Sequence, residues 1–210
     1  MRLITVLLTF LFIACGTSRD GDFTLFSVEE DLALGKELSQ SINSDPVNYP
    51  LIERSESPGA YAQLDRILKH ILSSQHILHR DELAWQLHII NNDTIQNAFC
   101  TPGGFIYVYT GLMKFVESED ELAGIIAHEV AHHVQDVTGI LPRANRAMRK
   151  QGQSKGAGSI AVRIELQADC YAGLWAGQSN ITAALEPGDI EEALGAASAV
   201  GDDRLQKRAQ

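Results

Sequence analysis

One helix-length stretch constrains this chain more than any other. His128-Glu129-Val130-Ala131-His132 lies inside an apolar run, Glu121 to Val134 (ELAGIIAHEVAHHV). Positions four apart lie one above the other on a helix face, so His128 and His132 offer two imidazoles to a single metal ion. Glu129 stands beside them. A buried helix that carried these residues by chance would hold a carboxylate in apolar surroundings, which is costly without a partner. A zinc site removes the difficulty. Zinc takes imidazole nitrogen at ~2.0–2.1 Å and, in a catalytic site, keeps one position open for water. The H-E-x-x-H spacing then makes Glu129 a proton acceptor rather than a ligand.

Two histidines do not complete such a site. The run Ile160 to Ala176 (IAVRIELQADCYAGLWA) has apolar residues at helical spacing. Within it, Glu165 and Asp169 are four apart and share a face. Glu165 completes a His2Glu set, and Asp169 can hold a ligand imidazole through its second nitrogen. One zinc ion per chain is the expectation.

H-E-x-x-H followed by E-x-x-A-D resembles the gluzincin peptidases of the HtpX-like and CAAX-prenyl-protease-like family, closest to its BepA-like and LoiP-like periplasmic lipoproteins. The resemblance extends through Asn97-Ala98-Phe99-Cys100-Thr101-Pro102-Gly103-Gly104, an N-A-x-x-x-P-G-G pattern, and through Glu121 to Ala127. Roughly Val28 to Asp136 is similar to that family. The second half, with His132-His133-Val134-Gln135, Arg163 to Gly173 and Leu185 to Ile190, resembles the YpfJ-like neutral zinc metallopeptidases. Both resemblances imply a zincin-like fold and a zinc-dependent metalloendopeptidase acting on protein or peptide. They also imply a hairpin edge beside the zinc, where Asn97, Ala98, Pro102 and Gly103 would meet an extended substrate as an added strand. Members of both groups usually carry a histidine and an arginine near the C-terminus, and nothing here matches them. Either the chain is truncated at its C-terminus, or a basic residue such as Arg143 or Arg146 stabilises the oxyanion, or the chain keeps zinc, hydrolyses poorly and acts as a chaperone-like envelope protein.

The remaining chain sets the context. A length of 210 residues suits one domain, and a net charge of −10 argues against a nucleic-acid partner. Leu3 to Ala14 is apolar apart from two threonines. It is shorter than the ~20 residues of a membrane span and reads as a signal-peptide core. Ala14-Cys15-Gly16 resembles a lipobox, which makes Cys15 the lipidation residue. Residues 1–14 are thus expected to be a signal peptide, 15–27 a lipidated tether and 28–210 the metallopeptidase domain. The expected location is the periplasmic face of the outer membrane, with the lipid anchor as the membrane contact.

Ser27-Val28-Glu29-Glu30 and Ser118-Glu119-Asp120-Glu121 are capping boxes. They open helices from Val28 to Ile42 and through the metal motif. Ala60 to His79 reads as a further helix, with His70, His76 and His79 as surface histidines, and Thr110 to Val116 as a short helix capped by Thr110. Leu83 to Asn91, Ile95 to Phe99 and Phe105 to Tyr109 read as strands. The basic stretch 140–158 reads as solvated, with a lid or an anionic-lipid contact as alternatives. A last helix is expected over Ile190 to Val200. Cys100 and Cys170 either pair or remain thiols. The expected fold class is α+β, with helices on a small antiparallel sheet.

Overall fold

The computed structural model describes residues 27–75, 77–151 and 159–178. The signal segment, Cys15, His76, Lys155 and the expected helix Ile190–Val200 lie outside the described residues. Among the described residues, no helix is long and apolar enough to cross a membrane. In chain order the elements are α1 (Val28–Asn43), β1 (Leu51–Ile52), α2 (Pro58–Leu72), β2 (Gln86–Ile90), β3 (Ala98–Thr101), β4 (Phe105–Tyr109), α3 (Thr110–Phe115), α4 (Glu119–Val137), α5 (Ile140–Gln151) and α6 (Ile160–Gln178).

The fold is α+β, and its sheet is mixed rather than antiparallel. The strand order is β1-β2-β4-β3. β3 and β4 form the expected hairpin across Pro102–Gly104, with Ala98 opposite Val108. β2 and β4 run parallel, with Leu87 opposite Ile106. The cause lies in the burial of β4. All five residues of Phe105–Tyr109 are buried, and a strand buried on both faces belongs in the middle of a sheet. β3, mostly half-buried, takes the edge.

The pleat divides β2 and β4 between two cores. Leu87, Ile89, Ile106 and Val108 join α2, α4 and α6 in the larger one, with Leu64, Ile71, Ile125, Ile126 and Val130. Ile90, Phe105, Tyr107 and Tyr109 form the smaller one, to which Ile42 of α1 contributes. On that second face Phe99, Tyr107 and His88 stack across three neighbouring strands, with ring centroids 4.9 and 5.0 Å apart.

Local signals explain most helix ends. At α1 the capping box is complete: Ser27 Oγ accepts from the Glu30 amide and Glu30 accepts from the Ser27 amide. At α4 only half of the box forms. Ser118 Oγ accepts from the Glu121 amide, while Glu121 Oε2 accepts from the Glu117 amide instead. Thr110 begins α3 without capping it through its side chain. α2 stops at Leu72 rather than at His79, because Arg80 donates to the carbonyls of Ser73 and Ser74 and folds the chain back. His70 is half-buried, edge-on to Trp175 at 5.8 Å, and His79 lies 3.1 Å from Glu82, so neither is a bare surface histidine. Residues 140–151 are helical, packed on α4 and α6 through Ala144. Cys100 and Cys170 are both thiols.

α1 touches the Pro102–Gly104 turn closely. A Cβ on Gly35 would stand 2.0 Å from the Pro102 carbonyl oxygen, so Gly35 is required by contact rather than by conformation. Gly35→Ala is expected to lower stability by about 1–3 kcal/mol, the usual range for forced overpacking, as read from denaturant midpoints. α1 also brings the buried Asp31 towards Asp136 of α4. Burial, and then the Asp31 charge, raise the Asp136 carboxyl to about 6. A carboxyl that holds its proton more tightly when folded loses stability as pH rises from its unfolded value through 6. Asp136→Asn is therefore expected to stabilise the protein by about 1–2 kcal/mol at pH 7–8 and by little at pH 4. Melting curves across that range measure it.

Candidate metal centre

α4 carries the site because it is the most enclosed helix. Leu122 to Ala131 are buried without a break. That burial carries His128 (5% exposed) and Glu129 (5% exposed) into the interior beside α6. α6 begins at Ser159, whose Oγ accepts from the Val162 amide. Its buried Ile164, Ala168 and Ala172 dock on the structure's interior. Glu165 and Asp169 follow Ile164 and Ala168 and consequently lie at the border with α4.

Three ligand atoms converge there. His128 Nε2 and His132 Nε2 are 3.0 Å apart, and each is 3.4 Å from Glu165 Oε2. Among the described residues these are the side chains whose donor atoms cluster as a metal would require. Donors at the corners of a tetrahedron with zinc-length bonds of ~2.05 Å stand ~3.3 Å apart. The triangle has those dimensions, and two imidazoles with one carboxylate suit zinc.

The supporting bonds point the nitrogens the right way. Asp169 Oδ1 lies 2.8 Å from His128 Nδ1. This fixes a proton on Nδ1 and leaves Nε2 for the ion. The corresponding partner of His132 is Gln135, with Oε1 2.9 Å from Nδ1. Gln135 was not singled out from the sequence as a site residue. The signal available was its position three residues after a ligand, where a helix brings side chains together.

The cluster is electrostatically coupled. Burial opposes charge on His128, yet the Asp169 and Glu165 hydrogen bonds raise its pKa to about 10. His132 is raised too, with burial again overcome by Glu165. Burial would lift the Glu165 carboxyl, but the two imidazoles hold it well below the usual range. The charge of Glu129 reaches both imidazoles and favours their cationic forms. His133 behaves oppositely: burial and then His132 push it down to about 4. It stacks edge-on to Trp85 at 5.3 Å, directed away from its neighbour's task.

Exposure rises across the site. The side chains of His128, His132 and Glu165 are 6%, 15% and 34% exposed, so the site opens on the Glu165 side. β3 packs against α4 and is an edge strand of the sheet. Asn97 accepts from the Tyr109 amide through its carbonyl, and Ala98 is fully buried at the start of β3. Pro102 and Gly103 turn towards α1, and the Gly103 carbonyl accepts from the Ala84 amide. Arg143 donates to the Thr138 carbonyl at the end of α4, and Arg146 is half-buried on α5.

Comparison with known proteins agrees with this chemistry. A family model described as "Putative neutral zinc metallopeptidase" matches residues 107–210, and one described as "Peptidase family M48" matches residues 58–141. Uncharacterized protein YpfJ of Escherichia coli is 40% identical over 120 residues, which cover 53% of this chain and 41% of that protein. Uncharacterized protein Rv2575 of Mycobacterium tuberculosis is 49% identical over 94 residues, covering 40% of this chain and 30% of that protein. Mitochondrial metalloendopeptidase OMA1 of Schizosaccharomyces pombe is 39% identical over 71 residues, covering 34% of this chain and 20% of that protein. The chain thus spans less than half the length of these curated relatives. The two models overlap across the H-E-x-x-H helix, where the ligands stand at zinc spacing, and the chain belongs to the zinc metallopeptidases.

Proposed function

We propose that this chain is a zinc-dependent metalloendopeptidase, with one zinc held by His128, His132 and Glu165. The observation that carries this is the convergence of those three donors beside a buried glutamate that is not one of them. Zinc in such a set supplies a Lewis acid that polarises a peptide carbonyl and acidifies water. The protein's own residues do the rest. The Glu129 carboxylate takes the proton from the attacking water and delivers it to the departing amide nitrogen. Asp169 holds the His128 ring in register. The enclosed α4 side excludes bulk water, and the opening at Glu165 admits the substrate.

The substrate class follows from the sheet edge. β3 runs along α4 and could accept an extended peptide as another strand. Recognition through main-chain hydrogen bonds makes little demand on side chains. Unfolded or misassembled proteins of the cell envelope fit that demand. The apolar Leu3 to Ala14 segment with Cys15 supports a lipoprotein anchored at the outer membrane and facing the periplasm.

Glu129→Gln separates binding from chemistry. It is expected to keep stoichiometric zinc and the parent's melting temperature while lowering hydrolysis of an unfolded protein by at least ~10²-fold. His132→Ala is expected to lose both metal and activity. Elemental analysis and a casein-type assay, with and without chelator, provide the readouts. Parent-like cleavage by Glu129→Gln would refute the mechanism. Full zinc content with no cleavage by the parent would favour the chaperone-like alternative. Cys15→Ser is expected to leave the outer-membrane fraction; retention there at the parent's level excludes lipid as the anchor.

A further inference from the structure

We propose that Gln135 is the positioning residue for His132, and that its one amide group aligns two of the three metal ligands together. This rests on the assignment of His128, His132 and Glu165 as zinc ligands.

Gln135 is fully buried, at 0% exposed. A buried primary amide has one acceptor oxygen and two N–H donors to satisfy. Here each has a partner. Oε1 lies 2.9 Å from His132 Nδ1, and Nε2 donates to the Ile164 carbonyl at 2.8 Å and to Gln167 Oε1 at 3.1 Å.

The Ile164 contact decides which way the amide points. A backbone carbonyl can only accept, so the NH2 group must face Ile164 and the oxygen must face His132. An oxygen facing Nδ1 requires a proton on Nδ1. His132 Nε2 then keeps its lone pair, at the corner shared with His128 Nε2 and Glu165 Oε2.

The second consequence concerns α6. Ile164 immediately precedes Glu165. The same amide that turns the His132 ring therefore ties down the helical turn that presents the carboxylate ligand. The two imidazoles are also held differently. His128 has an anionic partner in Asp169, whereas His132 has a neutral one. A neutral partner orients the ring without adding charge to the pocket, which already holds Glu129, Glu165 and Asp169.

The test uses the full-length protein with two substitutions of nearly equal length. Gln135→Met removes the acceptor and both donors. Gln135→Glu keeps an acceptor for Nδ1 but loses the donors to Ile164 and Gln167. Zinc affinity is measured by competition with a chromophoric chelator, and site geometry by the visible spectrum after cobalt substitution. Melting of the metal-free proteins reports the fold. Gln135→Met is expected to weaken zinc about 10–100-fold, the usual effect of losing a ligand's orienting partner, and to change the cobalt bands. Gln135→Glu is expected to bind zinc more tightly than Gln135→Met but less tightly than the parent, because it restores the contact to His132 and not the tie to Ile164. Parent-like affinity and spectrum in Gln135→Met would overturn the proposal. So would Gln135→Glu binding as weakly as Gln135→Met, or loss of cooperative melting in both, which would make the residue a strut. If Gln135→Met alone fails to fold, Gln135→Glu decides by the same criteria. A parent that takes up no zinc would overturn the ligand assignment as well, whereas a normal parent with an indifferent Gln135→Met would overturn this proposal alone.

Discussion

The contact between α4 and α6 is the interaction on which the rest depends. Neither helix holds a complete site. α4 supplies two imidazoles and the buried Glu129; α6 supplies the Glu165 carboxylate and Asp169, which is bonded to His128. What joins them is ordinary packing of Ile164, Ala168 and Ala172 with the interior that also buries Ile126 and Val130. Small residues at 168 and 172 let the backbones approach, and that approach gives ligand separations of 3.0–3.4 Å. The sheet contributes indirectly. Its larger-core face gives α4 something to lie on, and its β3 edge packs against α4.

The polar groups drawn into this interface are mutually satisfied, which makes their burial tolerable. Burial alone would raise Glu165, but the imidazoles give it partners, and Asp169 is bonded to His128 Nδ1. Gln135 has every hydrogen-bonding group engaged. Asp136 of α4, half-buried and raised by burial and by the Asp31 charge, shifts the opposite way. The contrast shows that complementary partners, not burial, distinguish the metal site from a costly pocket.

The pairing of side chains at the candidate site was legible because helical periodicity converts spacing directly into geometry: His128 with His132, and Glu165 with Asp169, need no knowledge of the fold to be placed on shared faces. Helix existence was legible for the same reason, from Ser27 and Ser118 onward. The sheet was less so. Nothing local in LAWQLHIIN tells whether its partner runs parallel or antiparallel, since that depends on which strand is buried on both sides. The clue was FIYVY, whose uninterrupted apolar run marks a central strand. The early end of α2 depended on Arg80 folding back onto Ser73 and Ser74, a contact with no periodic signature. The helix at 140–151 was obscured by its charge, because four basic residues conceal an apolar stripe that includes Ala144. Gln135 was hidden for a simpler reason: a glutamine in an amphipathic helix is ordinarily solvated, and only the approach of Ile164 makes this one structural.

The arrangement of the ligands has a topological consequence. His132 and Glu165 are separated in sequence by all of α5 and the segment leading to α6. An ion bonded to both closes that stretch into a ring, as a disulfide closes a covalent loop. Such a closure restricts the unfolded chain more than it alters the folded one, and the free energy of binding becomes free energy of folding. With zinc held as proposed, the metal would be both reagent and staple, clamping together the two helices whose separation defines the site.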